Sequence, residues 1–396
     1  MFKNSSRPTT RALTALTRRA VPMATDTSAS SINDVVDLIR PAVRERSEYL
    51  VDTPPDIEVK LNQNESPYDL PDELKDELLD AFGEVEFNRY PSEQPRELRQ
   101  ALAAHDEVPP ESIIVGNGSN EITYTFGLAF LEAGTPMVLP RPLFSLYEKV
   151  ARLQDADLTS VPPREDLRFD TDGLVAAVRS TDARMTVLAT PNNPTGRAMS
   201  LAEIERVAAA SPGVVVVDEA YVEFNTEPSA TQLMDEHPNI MVLRTLSKGF
   251  GLAGARLGYL IAQPPVVREL MKARLPFMVD RFAEQTALSV LERPGLIEER
   301  VRRLQVSITE LTEALRALDP VEVVPSEANF VIFTTPMPAD QLHNRLADRG
   351  VLVRNMGGYP ELEGYLRVNA GTRAENKAFL TALEETLSTA APSGSA

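Results

Sequence analysis

Four consecutive valines, Val214 to Val217, run directly into Asp218 and Glu219. β-Branched residues side by side, with no polar residue between them, mark a strand buried on both faces, as when helices cover a parallel sheet on either side. A carboxylate at the C-terminal end of such a strand stands at the edge where open α/β sheets bind their ligands. The flanking chain repeats the pattern. Apolar strand-like runs at 112–115, 137–139, 185–190, 241–245 and 259–261, and a shorter one ending at Val161, alternate with helical spacing over 122–130, 172–179 and 200–210. This alternation predicts an α/β fold whose large domain holds a mostly parallel sheet flanked by helices.

Further along, helical patterns over 264–272, 280–291 and 298–318 lead to strands at 321–324, 330–333, 351–354 and 365–368, with helices at 338–349 and 375–389. Strands and helices mixed in this way predict a smaller α+β domain. Ahead of the large domain, Ile32, Val35, Val36, Leu38 and Ile39 give an amphipathic helix over 31–40 that Pro41 ends or bends. A short strand at Val59 then enters the loop Asn62-Gln63-Asn64-Glu65-Ser66-Pro67-Tyr68, and helices are expected over 71–82 and 93–104.

Composition narrows the chemistry. A chain of 396 residues, 43% hydrophobic and 25% charged, is long enough for a large core and two domains. A formal net charge of −18 argues against nucleic-acid binding. The seven lysines against 33 arginines fit a high-salt cytoplasm or a codon bias equally well. Without cysteine there is no disulfide, thiolate or iron–sulfur chemistry, and the spacing of His105, His237 and His343 matches no metal site. No run of 18 apolar residues suggests a membrane span. The basic, Ser/Thr-rich stretch before Asp26 has the composition of a targeting peptide but no apolar secretory core. It reads as a disordered tail over 1–30, or as the result of an upstream start with Met23 the true first residue, and the expected location is the cytoplasm.

The stretch from Val242 to Gly258 carries the reactive groups. An apolar strand ends in Ser247 and Lys248, and a glycine-rich bend leads to Arg256. A lysine beside an apolar strand end can form a Schiff base with a carbonyl compound, and a serine with a nearby arginine can grip a phosphate. Polar groups close other strands in the same way: Gly118-Ser119-Asn120 at a helix start, Asn193, Asp218 with Tyr221, and Arg367. Together they suit a pyridine aldehyde bearing a phosphate. Such a cofactor needs a lysine for its carbonyl, a carboxylate to keep its ring nitrogen protonated, donors for its 3-oxygen, an aromatic residue such as Phe144 to stack on its ring, and a phosphate cup.

The segments Asn64-Glu65-Ser66-Pro67-Tyr68, Asn88-Arg89-Tyr90-Pro91, Gly118-Ser119-Asn120-Glu121, Thr190-Pro191-Asn192-Asn193-Pro194-Thr195-Gly196, Asp218-Glu219-Ala220-Tyr221-Val222-Glu223-Phe224, Arg244-Thr245-Leu246-Ser247-Lys248, Gly254-Ala255-Arg256-Leu257-Gly258 and Leu366-Arg367-Val368 occur in this order. In them the chain resembles the fold-type I pyridoxal-phosphate-dependent aminotransferases of the class II group, and among these the histidinol-phosphate aminotransferases, from about residue 31 to 388. The resemblance implies pyridoxal 5'-phosphate as cofactor and Lys248 as its Schiff-base lysine. Asp218 is then the partner of the ring nitrogen, and Asn193 and Tyr221 the donors to the 3-oxygen. Gly118, Ser119, Asn120, Ser247 and Arg256 form the phosphate grip. Tyr90 matches the tyrosine that reaches the phosphate of the neighbouring subunit's cofactor, which implies a homodimer with shared active sites. Asn64, Tyr49, Arg354 and Arg367 fall at substrate positions. The same resemblance gives residues 31–60 to the small domain and dimer contacts, 61–290 to the large cofactor-binding domain, 291–390 to the small domain and 391–396 to a disordered tail.

Two departures stand out. The ring-stacking position, commonly tyrosine, is Phe144, and the usual N-terminal substrate segment is replaced by Arg44-Glu45-Arg46-Ser47-Glu48-Tyr49, where either Tyr49 takes the place of the family tyrosine or the region is differently built. The expected reaction is transamination of L-histidinol phosphate with 2-oxoglutarate. An aromatic or broad-specificity amino-acid aminotransferase and a threonine-phosphate decarboxylase use similar residues and stay open. A regulator with an aminotransferase-like domain is disfavoured, since the segment before residue 31 has no room for a winged helix.

Overall fold

The computed structural model describes residues 32–46, 48, 54 and 56–389. It comprises two units, Met1–Ser47 and Glu48–Ala396. In the first, the helix expected over 31–40 stops early. It spans Ile32–Asp37, and Pro41 opens a separate helix, Pro41–Arg44, at the position where its missing N–H leaves no hydrogen bond unmade. Ile32, Val35, Val36, Leu38 and Ile39 are all exposed.

The second unit begins with the short strand β1 (Val59–Lys60). Strands β2 (Ile113–Asn117), β3 (Pro136–Pro140), β4 (Asp157–Val161), β5 (Met185–Ala189), β6 (Val214–Asp218), β7 (Ile240–Thr245) and β8 (Leu257–Ile261) form one seven-stranded sheet in the order β2-β8-β7-β6-β5-β3-β4. β8 runs antiparallel to β2 and β7, and the other pairings are parallel. The C-terminal ends of β2, β3, β5, β6 and β7 therefore share one edge with the start of β8. Helices Ser145–Leu153, Thr171–Thr181 and Leu201–Ala210 make the crossovers that parallel pairing requires. The valine strand β6 is central, with Val215, Val216 and Val217 wholly buried.

The glycine segment after β2 is tighter than expected. Its helix starts at Gly118, directly after Asn117 and not at residue 122, and runs to Phe130. Gly118 takes φ +74°, a reversal that residues with a Cβ rarely make. The helix start also lies against β8. A Cβ on Gly258 would stand 2.3 Å from the Ser119 backbone nitrogen.

Strands β9 (Glu322–Val323), β10 (Phe330–Thr334), β11 (Val351–Leu352), β12 (Arg354–Asn355) and β13 (Tyr365–Asn369) follow the long helix Pro294–Ala317. A four-stranded antiparallel sheet has the order β12-β13-β10-β9, while β11 pairs in parallel with β1. The single strand expected over 351–354 thus divides between two sheets at Val353. Two large hydrophobic cores result, besides a small cluster of Ile332, Met356 and Leu362. One surrounds the large sheet; the other surrounds the small one and draws in Leu61 from the N-terminal side and Tyr221 and Phe224 from the loop after β6.

Candidate active site

A cavity of about 660 Å³ opens at the shared strand edge. Asn64, Ser119, Asn120, Phe144, Asn193, Asp218, Tyr221, Ser247, Lys248, Arg256, Arg354 and Arg367 all line it. They come from the ends of β2, β3, β5, β6 and β7, from just before β8, from the segment after β1, and from β12 and β13. The large-sheet strands deliver these polar residues where the apolar run stops, since a polar group inside the covered sheet needs buried partners of its own.

Lys248 Nζ donates to the Gln63 carbonyl at 2.9 Å and lies 5.9 Å from the Tyr221 ring centre. Burial, then the positive charge of Arg367, lower the amine from 10.5 to about 7, with Arg256 and Lys60 adding to the shift and Glu65 opposing it. Asp218 accepts from the Tyr147 hydroxyl at 2.6 Å through Oδ2 and from the Ala220 N–H at 3.1 Å through Oδ1. Burial raises its carboxyl to about 6. Both of its hydrogen-bond partners are neutral.

Tyr221 accepts from Asn64 Nδ2 at 2.9 Å, and burial pushes its hydroxyl up to about 12, so it stays a donor. Asn64 itself has φ 55° and is fixed by its N–H donating to Asn369 Oδ1 at 3.0 Å and by its carbonyl accepting from Asn329 at 3.2 Å. Arg367 donates to Asn193 Oδ1 at 2.5 Å and to the Asn62 carbonyl at 2.8 Å. With that oxygen engaged, the Asn193 amide is oriented to offer its N–H groups. Arg354 stands opposite Arg367 in the β12–β13 register, and both line the pocket. Ser247 is held through Thr245 Oγ1 at 3.0 Å, and the Arg256 guanidinium lies where a side chain on Gly118 would be, 2.6 Å from an ideal Cβ. In a chain of net charge −18, this pocket gathers Lys248, Arg256, Arg354 and Arg367 alongside Glu48, Glu65 and Asp218, so it offers sites for both an anion and a cation.

Two sequence-predicted residues are not brought here, and one lies outside the described residues. Gly118 shapes the cup from beneath Arg256 without lining the cavity. Tyr90 is 82% exposed, away from the pocket, with its ring stacked on Phe277 at 4.8 Å. Tyr49 falls outside the described residues.

Other groups had no role assigned from the sequence. Tyr147 is one, and Tyr359, from the Gly357-Gly358-Tyr359 turn, lines the pocket. Arg244 is another: on β7, behind Lys248, it is buried between Asp106 at 2.8 Å and Glu219 at 2.9 Å and also donates to Ser229 at 2.8 Å. Glu223 beside it is raised to about 7 by burial. The recurrence of tyrosine three residues after Phe144 was the one available signal for Tyr147; Arg244 gave none, because its partners are remote in sequence.

The donor set fits a phosphorylated pyridine aldehyde. A depressed lysine amine faces the cavity, the carboxylate of Asp218 is bonded to the neutral Tyr147 hydroxyl and Ala220 N–H, two oriented donors sit at Asn193 and Tyr221, and a helix N-terminus with Ser247 and Arg256 would suit a phosphate. Fold and site define an aminotransferase-type enzyme, and the chain belongs to the class I and II aminotransferases, the family matched over residues 56–383. Within that class it is 42% identical to the histidinol-phosphate aminotransferase of Chlorobaculum tepidum, over 88% of this chain and 100% of that protein. Among solved structures, the histidinol-phosphate aminotransferase of Sinorhizobium meliloti in complex with pyridoxal-5'-phosphate superposes with a TM-score of 0.79 at 26% identity, covering 89% of this chain and 98% of the other. The L-threonine-O-3-phosphate decarboxylase of Porphyromonas gingivalis follows with a TM-score of 0.73 at 26% identity, covering 83% and 99%.

Proposed function

We propose that the chain uses pyridoxal 5'-phosphate to transaminate L-histidinol phosphate with 2-oxoglutarate, giving imidazole-acetol phosphate and L-glutamate. The observation that carries this reading is one pocket lined by a lysine amine of lowered pKa, a buried carboxylate and the two arginines Arg354 and Arg367. When bound, the cofactor supplies a carbonyl for amine exchange and a ring that withdraws electrons. Lys248 is the group that engages that carbonyl and, once released, holds and returns a proton at Nζ. Asp218 supplies the negative charge for the ring N–H, and Asn193 and Tyr221 direct donors at the 3-oxygen. Ser119, Asn120, Ser247 and Arg256 hold the phosphate. Arg367 and Arg354 bind the substrate anion, a carboxylate or a phosphate in turn, which lets one site serve both half-reactions. Asn64 orients Tyr221.

The same reading takes residues 61–290 as the large domain and 291–390 as the small one, supported by the two cores, and makes the enzyme a cytoplasmic homodimer in which Tyr90 reaches the partner's site. No helix among the described residues is long and apolar enough to cross a membrane. The test is to add L-histidinol phosphate, L-glutamate, L-phenylalanine and L-threonine phosphate separately to the holoenzyme while following the cofactor's visible absorption. Fast conversion by the first two alone is expected, and Lys248→Ala should abolish it. Equal conversion by phenylalanine would replace the reading with a broad amino-acid aminotransferase, and carbon dioxide release from threonine phosphate with a decarboxylase.

A further inference from the structure

We infer that Tyr147 is the positioning residue for Asp218: its hydroxyl holds the carboxylate ionised and turned toward the pocket. Tyr147 is fully buried in the first turn of helix Ser145–Leu153, and its hydroxyl donates to Asp218 Oδ2 at 2.6 Å. The Ala220 N–H ties the other oxygen at 3.1 Å. With both oxygens fixed by neutral donors, the carboxylate cannot swing, and each oxygen keeps acceptor capacity for a cation in the cavity. Phe144 stands at the N-terminal boundary of the same helix and lines the pocket, three residues before Tyr147. One helical turn thus presents the ring-stacking residue and the support for the residue that meets the ring nitrogen.

The charges around Asp218 make this support necessary. Burial raises its carboxyl, and Glu219, the next residue, pushes in the same direction. The Tyr147 hydroxyl is the first influence acting against them, followed by the Ala220 N–H. Tyr221 also faces Asp218 from the loop after β6. Thr123 of helix Gly118–Phe130 acts on the Tyr147 hydroxyl and works to lower its pKa. Burial and the Asp218 charge both hold the tyrosine far above its ordinary 10.0, so it remains a donor across the working pH range.

The role of Asp218 rests on the proposed cofactor chemistry, but its bond to Tyr147 can be read without it. The carboxyl of Asp218 is to be titrated in the cofactor-free full chain by infrared difference spectroscopy against Asp218→Asn. In Tyr147→Phe its midpoint is expected to rise by about one pH unit, a tenfold shift of the protonation equilibrium. 3-Fluorotyrosine at position 147, a stronger donor of nearly the same volume, should lower the midpoint, which a merely space-filling tyrosine would not do. In the holoenzyme, Tyr147→Phe should move the acid limb of kcat upward with KM within about twofold, and raise the cofactor's dissociation constant about tenfold. Tyr147→Phe added to Asp218→Asn should then cost no further affinity. An unchanged midpoint in both the phenylalanine and fluorotyrosine forms, or full additivity in the double variant, would overturn the inference. A shifted midpoint in a protein that fails to transaminate histidinol phosphate would leave it standing and refute only the substrate assignment.

Discussion

At the scale of single residues, Lys248 shows how place overrides type. A lysine in water is almost fully protonated at neutral pH, whereas Lys248 is brought to about 7 by burial and by Arg367 on a distant strand. Only the neutral amine attacks a carbonyl. The sign is therefore fixed: lowering the pKa raises the reactive fraction, and raising pH raises it only until the amine is wholly neutral. The rate at which the cofactor-free protein captures pyridoxal 5'-phosphate covalently should climb about tenfold per pH unit below 7 and flatten above it. Stopped-flow absorption across pH 5 to 10 checks this, and a rate still climbing toward 10 would show an ordinary lysine. Arg367→Ala, which removes a neighbouring positive charge, should move the plateau to higher pH. The sequence pointed to Lys248 through Ser247, the glycine bend and Arg256, all close along the chain. It could not show the lowered pKa, which comes first from burial in the folded pocket and then from Arg367 on β13.

At the scale of elements, the site is a set of strand ends, and its accuracy depends on how closely they approach. The start of helix Gly118–Phe130 can lie over β8 only because residue 258 has no side chain: a Cβ there would be 2.3 Å from Ser119 N and 2.9 Å from the Arg244 carbonyl. These are backbone atoms that cannot step aside. Gly258→Ala is expected to cost about 1–3 kcal/mol of stability through overpacking and to weaken cofactor binding about tenfold or more, since the displaced N–H groups are those of the phosphate cup. Gly295→Ala, in a helix with open space around its position, serves as the control. Thermal melts and cofactor titration decide it; equal affinity in the two variants would mean that the helix start does not hold the phosphate. The elements themselves were largely legible. The valine run gave β6 and the acid at its end, and the alternation of apolar strands with helices gave the parallel crossovers. Legibility failed where a tertiary partner sets the boundary. Nothing local says that 351–354 divides at Val353, because β11 is defined by β1 and β12 by β13. Nor does the glycine segment announce that the helix begins at Gly118, since the approach of β8 compresses what reads as a loop into one residue of positive φ.

At the scale of the whole molecule, the exposed aromatic residues demand a partner more than the polar pocket does. Tyr90 is 82% exposed, Phe87 81% and Leu275 70%, and the Tyr90 ring stacks on the half-exposed Phe277. Phe87 packs on Phe282, a second ring contact that leaves an aromatic side chain largely in water. A soluble monomer rarely leaves such rings together in water, whereas an interface buries them. The homodimer proposed above gives them that cover, and it gives Tyr90, which no element of its own chain brings to the cavity, a phosphate to meet. Two variants separate these roles. Leu275→Asp with Phe277→Asp places two desolvated charges in the interface, and sedimentation should show a shift from dimer toward monomer with loss of cofactor affinity. Tyr90→Phe keeps the ring and its stacking on Phe277 but loses the hydroxyl, so the dimer should persist while the cofactor's dissociation constant rises about tenfold, the worth of one hydrogen bond to a charged group. A wild-type chain that sediments as a monomer while turning over at full rate would remove the need for the shared site. An unchanged affinity in Tyr90→Phe would keep the dimer but confine Tyr90 to its apolar contact.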